Sequence, residues 1–230
     1  MNRYALLDWD YTLRKGYTLT AWIEYLCTRN VFSASLPAAI ASMQAQYDAG
    51  MISHDEYAMA ACREYAAALQ GMEEEQLSAL LPGFCREQGA LIYSFTEPLF
   101  QLLHRESIDA IVVSGAPGLI LKQYQETFRI RKILAFEPEI RNGQYTGAAS
   151  ANYGFHKENA VQLTAKLYGT APFLALGDSS SDIPLLMAAR HAVCIGRESF
   201  LPDGKEAACL SPASAPEDII AEISSLIHSA

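Results

Sequence analysis

The stretch Ala5-Leu6-Leu7-Asp8-Trp9-Asp10-Tyr11-Thr12-Leu13-Arg14, ALLDWDYTLR, places two carboxylates two residues apart at the end of a short apolar run. In a strand, residues i and i+2 face the same side, so Asp8 and Asp10 point together while Trp9 points away. Two like charges held side by side repel each other. Either the pair is a solvated strand end, or something binds there that makes their proximity favourable. The choice depends on the kind of sheet to which the run Tyr4–Leu7 belongs.

Four further runs resemble it: Ala110–Val113, Ile133–Phe136, Phe173–Leu176 and Ala192–Ile195. Each is short and rich in Val, Ile, Leu or aromatic residues. Helical spacing fills several of the gaps, over Gly118–Phe128 and Lys157–Tyr168. Strands alternating with helices of this length predict βαβ units and a Rossmann-like parallel sheet, an α/β fold. The C-terminal segment APEDIIAEISSLI carries Ile219, Ile220, Ile223 and Ile227 at helical spacing behind a capped start, and is expected to cover one face of the sheet. Asn142-Gly143, within EIRNGQYTG, is a strong hairpin signal.

From about Leu13 to Gln88 the rhythm breaks. This stretch holds no convincing strand, and breaks fall at Leu36-Pro37, Ala49-Gly50 and Leu81-Pro82-Gly83. Ser53 followed by Glu56 has the form of a capping box, with helical sequence continuing through Leu69. The expected organisation is therefore an α/β core of residues 1–13 and 89–230, with a small all-helical domain, 14–88, inserted after the first strand.

Composition narrows the functional classes. The chain has 230 residues, a formal charge of −9 and no clustered basic footprint, which argues against nucleic-acid binding. Its five cysteines are widely spaced, without a C-x-x-C pair, as expected of scattered thiols in a reducing compartment. The first apolar run stops at Asp8, well short of the roughly 7–15 residues of a signal-peptide core. No stretch approaches the ~18 apolar residues of a membrane span. A cytoplasmic, soluble protein is expected, and nothing in the sequence sets its oligomeric state.

Three more clusters fall at the ends of expected strands or at the entries to helices. LALGDSSSDIPLL sets Asp178 and Asp182 at a strand-to-helix junction. DAIVVSGAP ends a strand at Ser114, with Gly115 free to turn. Lys157 stands near a helix start, where a positive charge is disfavoured by the helix dipole and hints at a nearby anion. Taken singly, each also reads as an ordinary cap, turn or surface residue. In an open parallel sheet, however, ligands bind beyond the C-terminal strand ends, and the topology would bring all four clusters to one edge. Four carboxylates there would raise one another's pKa values unless a cation neutralised them. Mg²⁺ favours such hard oxygen ligands.

Taken in order, DWDYT, VVSG, Lys157 and GDSSSD resemble the four motifs of the haloacid dehalogenase superfamily of phosphatases, over roughly residues 1–13 and 90–200. The helical insertion stands where that family carries its cap domain. The insertion and the NGQYTG hairpin are most similar to the phosphoserine-phosphatase branch. The resemblance implies a Mg²⁺-dependent hydrolase of small-molecule phosphate monoesters that works through an aspartyl phosphate. Asp8 would be the nucleophile and Asp10 the general acid and base. Ser114, Gly115 and Lys157 would bind the phosphoryl group. The metal site would draw on Asp8, Asp10 (through its backbone carbonyl), Asp178 and Asp182, the last from behind through water. Tyr11, Arg14, Tyr17 and Trp22, with Lys15 beside them, are candidates for the substrate pocket, though each could equally be surface or core of the insertion.

A phosphotransferase or mutase on the same fold, and a non-catalytic phosphate-binding module, are the alternatives. The intact carboxylates and lysine disfavour the module. Several positions depart from the branch: Tyr11 stands where Gly or Ser is common, Ala116 where Gly is usual, and Ser181 in place of Asn. Tyr17 stands where an acidic residue engages the substrate's amino group, which argues against L-phosphoserine as the substrate.

Overall fold

The computed structural model describes residues 3–196, 198–202 and 204–229. All five apolar runs form strands. In chain order the strands are β1 (Arg3–Leu7), β2 (Ile108–Pro117), β3 (Lys132–Arg141), β4 (Gln144–Asn152), β5 (Leu174–Gly177), β6 (His191–Ile195) and β7 (Ala208–Leu210). They make one sheet in the order β4-β3-β2-β1-β5-β6-β7. Neighbours are parallel except β3 and β4. That pair is the hairpin expected from Asn142-Gly143, whose φ angles of 53° and 79° suit a tight turn that follows the strand twist. β7, a short edge strand, was not expected, because its three residues are only partly covered and lack an alternating pattern.

The helices are α1 (Thr18–Thr28), α2 (Ser35–Asp48), α3 (His54–Ala68), α4 (Glu74–Ser78), α5 (Leu81–Gln88), α6 (Thr96–Arg105), α7 (Gly118–Leu121), α8 (Lys157–Tyr168), α9 (Ile183–Ala188) and α10 (Pro216–His228). Strand alternation sorts the core into two layers. Ala5, Leu7 and Val112 face one way, onto Leu99 and Leu103 of α6 and Ile219, Ile223 and Ile227 of α10. Tyr4, Leu6, Ile111 and Val113 face the other, onto Ala160 of α8 and Leu185 and Leu186 of α9. Each fully buried aliphatic side chain of this kind is worth about 1.5–3 kcal/mol.

Three local expectations need correction. Over Gly118–Phe128 the regular helix ends at Leu121 and gives way to a 3-10 turn and then irregular chain. Phe128 stacks on Phe100 with ring centroids 4.9 Å apart. The chain then reverses through Arg129 at φ 52° to start β3. This core contact and reversal override helical propensity. The α10 start carries no side-chain cap; Pro216 opens it, with Glu217 and Asp218 favourable at the positive end of the dipole. Leu36-Pro37 lies inside the first turn of α2 rather than between helices, a position that tolerates proline.

Helices α1 to α5 all lie between β1 and β2. Trp22, Leu26, Tyr65, Leu69 and Phe84 bury one another in a cluster of their own, which also takes in Ile120, Phe136 and Tyr145 from the sheet side. The Ser53–Glu56 capping box opens α3 as expected. Backbone bonds fasten the insertion to the hairpin: Gly71 donates to Tyr145, Tyr145 to Met72 and Glu74 to Gly143, each at 2.9 Å.

Candidate active site

β1 delivers Asp8 to the C-terminal edge of the sheet, where its amide donates to the Leu176 carbonyl at 3.0 Å. The chain then turns tightly, with the Leu13 and Arg14 amides donating to Trp9 O at 2.8 and 3.0 Å. Trp9 is fully buried beside Tyr124 and Phe128, so it points away from the carboxylates. Asp10 is fixed by the start of α1. Both of its oxygens lie 3.0 Å from the Thr18 amide, and the Thr18 hydroxyl donates to Oδ1. Arg14 Nη1 stands 3.8 Å from the same oxygen.

Lys157, the first residue of α8, is buried at the centre. Its ammonium donates to Asp8 Oδ1 at 2.6 Å and to Asp182 Oδ1. The lysine that looked misplaced at a helix start is thus held by two anions. Asp182 is fully buried, and its other oxygen accepts from the Asp178 and Ser179 amides at 3.0 and 3.1 Å. Asp178 Oδ1 accepts from the Thr12 hydroxyl at 3.0 Å. Ser114 is buried on β2 where that strand's pairing with β3 shifts register, and its hydroxyl accepts from the Ala116 amide at 3.1 Å.

Two glycines make this packing possible. A Cβ on Gly177 would lie 2.3 Å from the Asp182 Cβ. A Cβ on Gly154 would lie 2.3 Å from the Gly115 Cα and 2.5 Å from its nitrogen. Both approaches are closer than any side chain allows.

Burial dominates the electrostatics. It raises Asp8 well above the usual carboxylate range, opposed by Lys157 and reinforced by Asp182 and Asp178. It also raises Asp10, against the stabilising bonds from Thr18. Burial and Asp182 together push Asp178 up to about 7. Burial works against the charged Lys157, but Asp182 and Asp8 outweigh it and raise its pKa. Asp8, Asp178 and Asp182 each place an oxygen within 4.8 Å of the others. An all-carboxylate set, buried and mutually repelling, fits a hard divalent cation. Both Asp182 oxygens are engaged by Lys157 and the two amides, so Asp182 braces the set from behind.

A cavity of about 230 Å³ opens over these groups. Asp8, Asp10, Ser114, Gly115, Lys157 and Asp178 form its floor, and Tyr11 and Tyr17 stand in its wall. Arg14 and Trp22, the other pocket candidates, do not line it. Arg14 is buried beneath, bonded to the Gly16 carbonyl and Gln88. Trp22 is in the insertion core, its indole donating to the Tyr65 hydroxyl at 2.9 Å. Lys15 lies over the Tyr93 ring, away from the cavity.

A family model for haloacid dehalogenase-like hydrolase matches residues 5–187. The chain belongs to that family. Among solved structures, a protein of unknown function from Bordetella pertussis Tohama I matches with TM-score 0.72 at 18% identity, over 92% of this chain and 99% of that one. A phosphoserine phosphatase with a phospho-aspartyl intermediate analogue matches with TM-score 0.67 at 15% identity, over 96% and 98%. A probable phosphoserine phosphatase from Vibrio cholerae matches with TM-score 0.65 at 14% identity, over 98% and 66%. These likenesses show the fold. No curated protein matches the chain.

As a haloacid dehalogenase-like hydrolase, the chain carries its motif residues on one sheet edge. Several partners escaped notice in the sequence. Thr12 and Thr18 follow the first motif closely, but their hydroxyls reach Asp178 and Asp10 only through the turn. Gly154 has no local signal, because its need arises from the Gly115 backbone alone. Tyr47 and Tyr57 belong to helices α2 and α3, and nothing in their periodicity marks the cavity side. Tyr11 adopts φ 59°, a left-handed conformation that costs a side-chain-bearing residue about 1–2 kcal/mol and that glycine adopts freely. Tyr11 is 41% exposed and lines the cavity.

Proposed function

We propose that the protein is a Mg²⁺-dependent phosphomonoesterase acting on a small-molecule phosphate ester in the cytoplasm. The observation that carries this reading is the buried Asp8–Lys157–Asp182 chain, facing one cavity with Asp10 and Ser114. Lys157 holds Asp8 through Oδ1, leaving Oδ2 to attack phosphorus as the P–O ester bond breaks. The raised Asp10 carboxyl gives its proton to the departing alkoxide. The resulting carboxylate then takes a proton from the water that hydrolyses the aspartyl phosphate, releasing phosphate and restoring Asp8. Lys157, the Ser114 hydroxyl and the Gly115 amide offset charge on the phosphoryl oxygens. Mg²⁺, held by Asp8, Asp178 and the Asp10 backbone carbonyl, would neutralise the carboxylates and polarise the phosphoryl group.

Residues 14–88 serve in this reading as a cap over the core of residues 1–13 and 89–230, closing the cavity against water. Among the described residues no helix is long and apolar enough to cross a membrane. The test is phosphate release from ethyl phosphate, a simple ester with an alkoxide leaving group. It should require Mg²⁺, stop with EDTA, and vanish together with phosphoenzyme in Asp8→Asn. Turnover that survives chelation or the Asp8 substitution would refute the mechanism.

A further inference from the structure

The cavity wall opposite the carboxylates is aromatic. Tyr11 and Tyr17 meet edge to face, with centroids 4.9 Å apart and planes at 80°. Tyr47 and Tyr57 stack at 5.9 Å and 14°. All four line the cavity, and Phe155 closes it from the core side. Between the rings lie Leu19, Thr20, Ala58, Ala61 and Cys62. Among the described residues, the insertion contributes no charged side chain to this wall. The cavity's cation, Lys157, is held between Asp8 and Asp182.

This lining selects against negative charge on the leaving group. A carboxylate brought against it would leave water without gaining a counter-charge, which is costly. A flat ring would gain edge and face contacts with the tyrosines. The volume, about 230 Å³, lies below the usual range of small-molecule pockets, which begins near 300 Å³. It suits a phosphoryl group with a compact partner.

Resting on the phosphomonoesterase reading, we infer that the substrate is the phosphate ester of a compact alcohol that carries no anionic group and bears a single aromatic ring, gripped by Tyr11, Tyr17, Tyr47 and Tyr57.

Benzyl phosphate and L-phosphoserine are both esters of primary alcohols, so they differ chiefly in what meets the wall. Benzyl phosphate should show a kcat/KM about tenfold or more higher, the gain lying mainly in KM. Tyr57→Ala, and the more exposed Tyr11→Ala as a variant less able to disturb folding, should each raise KM for benzyl phosphate by about three- to tenfold, and by more than for ethyl phosphate. Equal or better use of L-phosphoserine, or tyrosine variants that leave the benzyl phosphate KM unchanged, overturns the inference. If ethyl phosphate is inert as well, the phosphomonoesterase reading fails. Calorimetry with non-hydrolysable phosphonate isosteres of the two esters then decides the pocket. Tighter binding of the aromatic isostere supports the inference, and equal or weaker binding overturns it.

Discussion

Replacing Asp182 separates two jobs done by one buried carboxylate. Oδ1 pairs with Lys157, and Oδ2 accepts from the Asp178 and Ser179 amides. Asp182→Asn keeps an oxygen for the amides but loses the ion pair. Removing one partner of a buried pair costs about 3–5 kcal/mol. Lys157 retains Asp8 at 2.6 Å, which favours the lower end. Relief of the repulsion that Asp182 exerts on Asp178 and Asp8 returns about 1 kcal/mol. The net loss is about 2–3 kcal/mol, or roughly 4–12 °C in Tm for a chain of this size. Asp182→Ala also strands two amides, adding about 1–3 kcal/mol each. Urea titration with an unchanged slope, together with thermal melts, measures both variants. An Asn variant melting within about 2 °C of the parent, or an Ala variant no less stable than Asn, would show that Asp182 does not hold the site together as described.

Three other outcomes are expected. Gly154→Ala forces a Cβ into the Gly115 backbone and should cost about 1–3 kcal/mol while sharply weakening inorganic phosphate binding by calorimetry; a variant with parent-like stability and affinity would contradict the close approach. Asp178, raised to about 7 from an unfolded value of 3.8, binds its proton more tightly in the fold, so without a cation its contribution to stability falls as pH rises from about 4 through 7. Because a cation needs the ionised carboxylate, the Tm increase produced by a fixed Mg²⁺ concentration should be larger at pH 8 than at pH 6, and the reverse trend in scanning calorimetry would count against this ligand. Burial pushes the Cys62 thiol up to about 12, so at pH 8 iodoacetamide should label the exposed Cys209 and spare Cys62, as peptide mass mapping would show.

Much of the fold was legible because its signals are local. Five apolar runs, separated by helical spacing, require a parallel sheet, and Asn142-Gly143 dictates a hairpin through its left-handed φ angles. The four motif clusters followed from the same logic, since a parallel sheet gathers its strand ends at one edge. The break in rhythm after Leu13 likewise marks where helices α1 to α5 follow the first strand. What the chain could not disclose by itself is which side chains of that insertion turn toward the carboxylates. Trp22 and Tyr17 are equally plausible from the sequence, yet packing sends Trp22 to the Tyr65 hydroxyl and Tyr17 to the cavity. Asp182 was expected behind the metal through water, but the sequence did not show that the Lys157 ammonium and two amides would take its oxygens. Gly154 gained its meaning only from the Gly115 backbone beside it. Local sequence sets strand, turn and charge within a few residues, so it determined the sheet and the charged residues on its edge. Contacts between residues tens of positions apart decided the division of labour among the carboxylates and the aromatic wall that faces them.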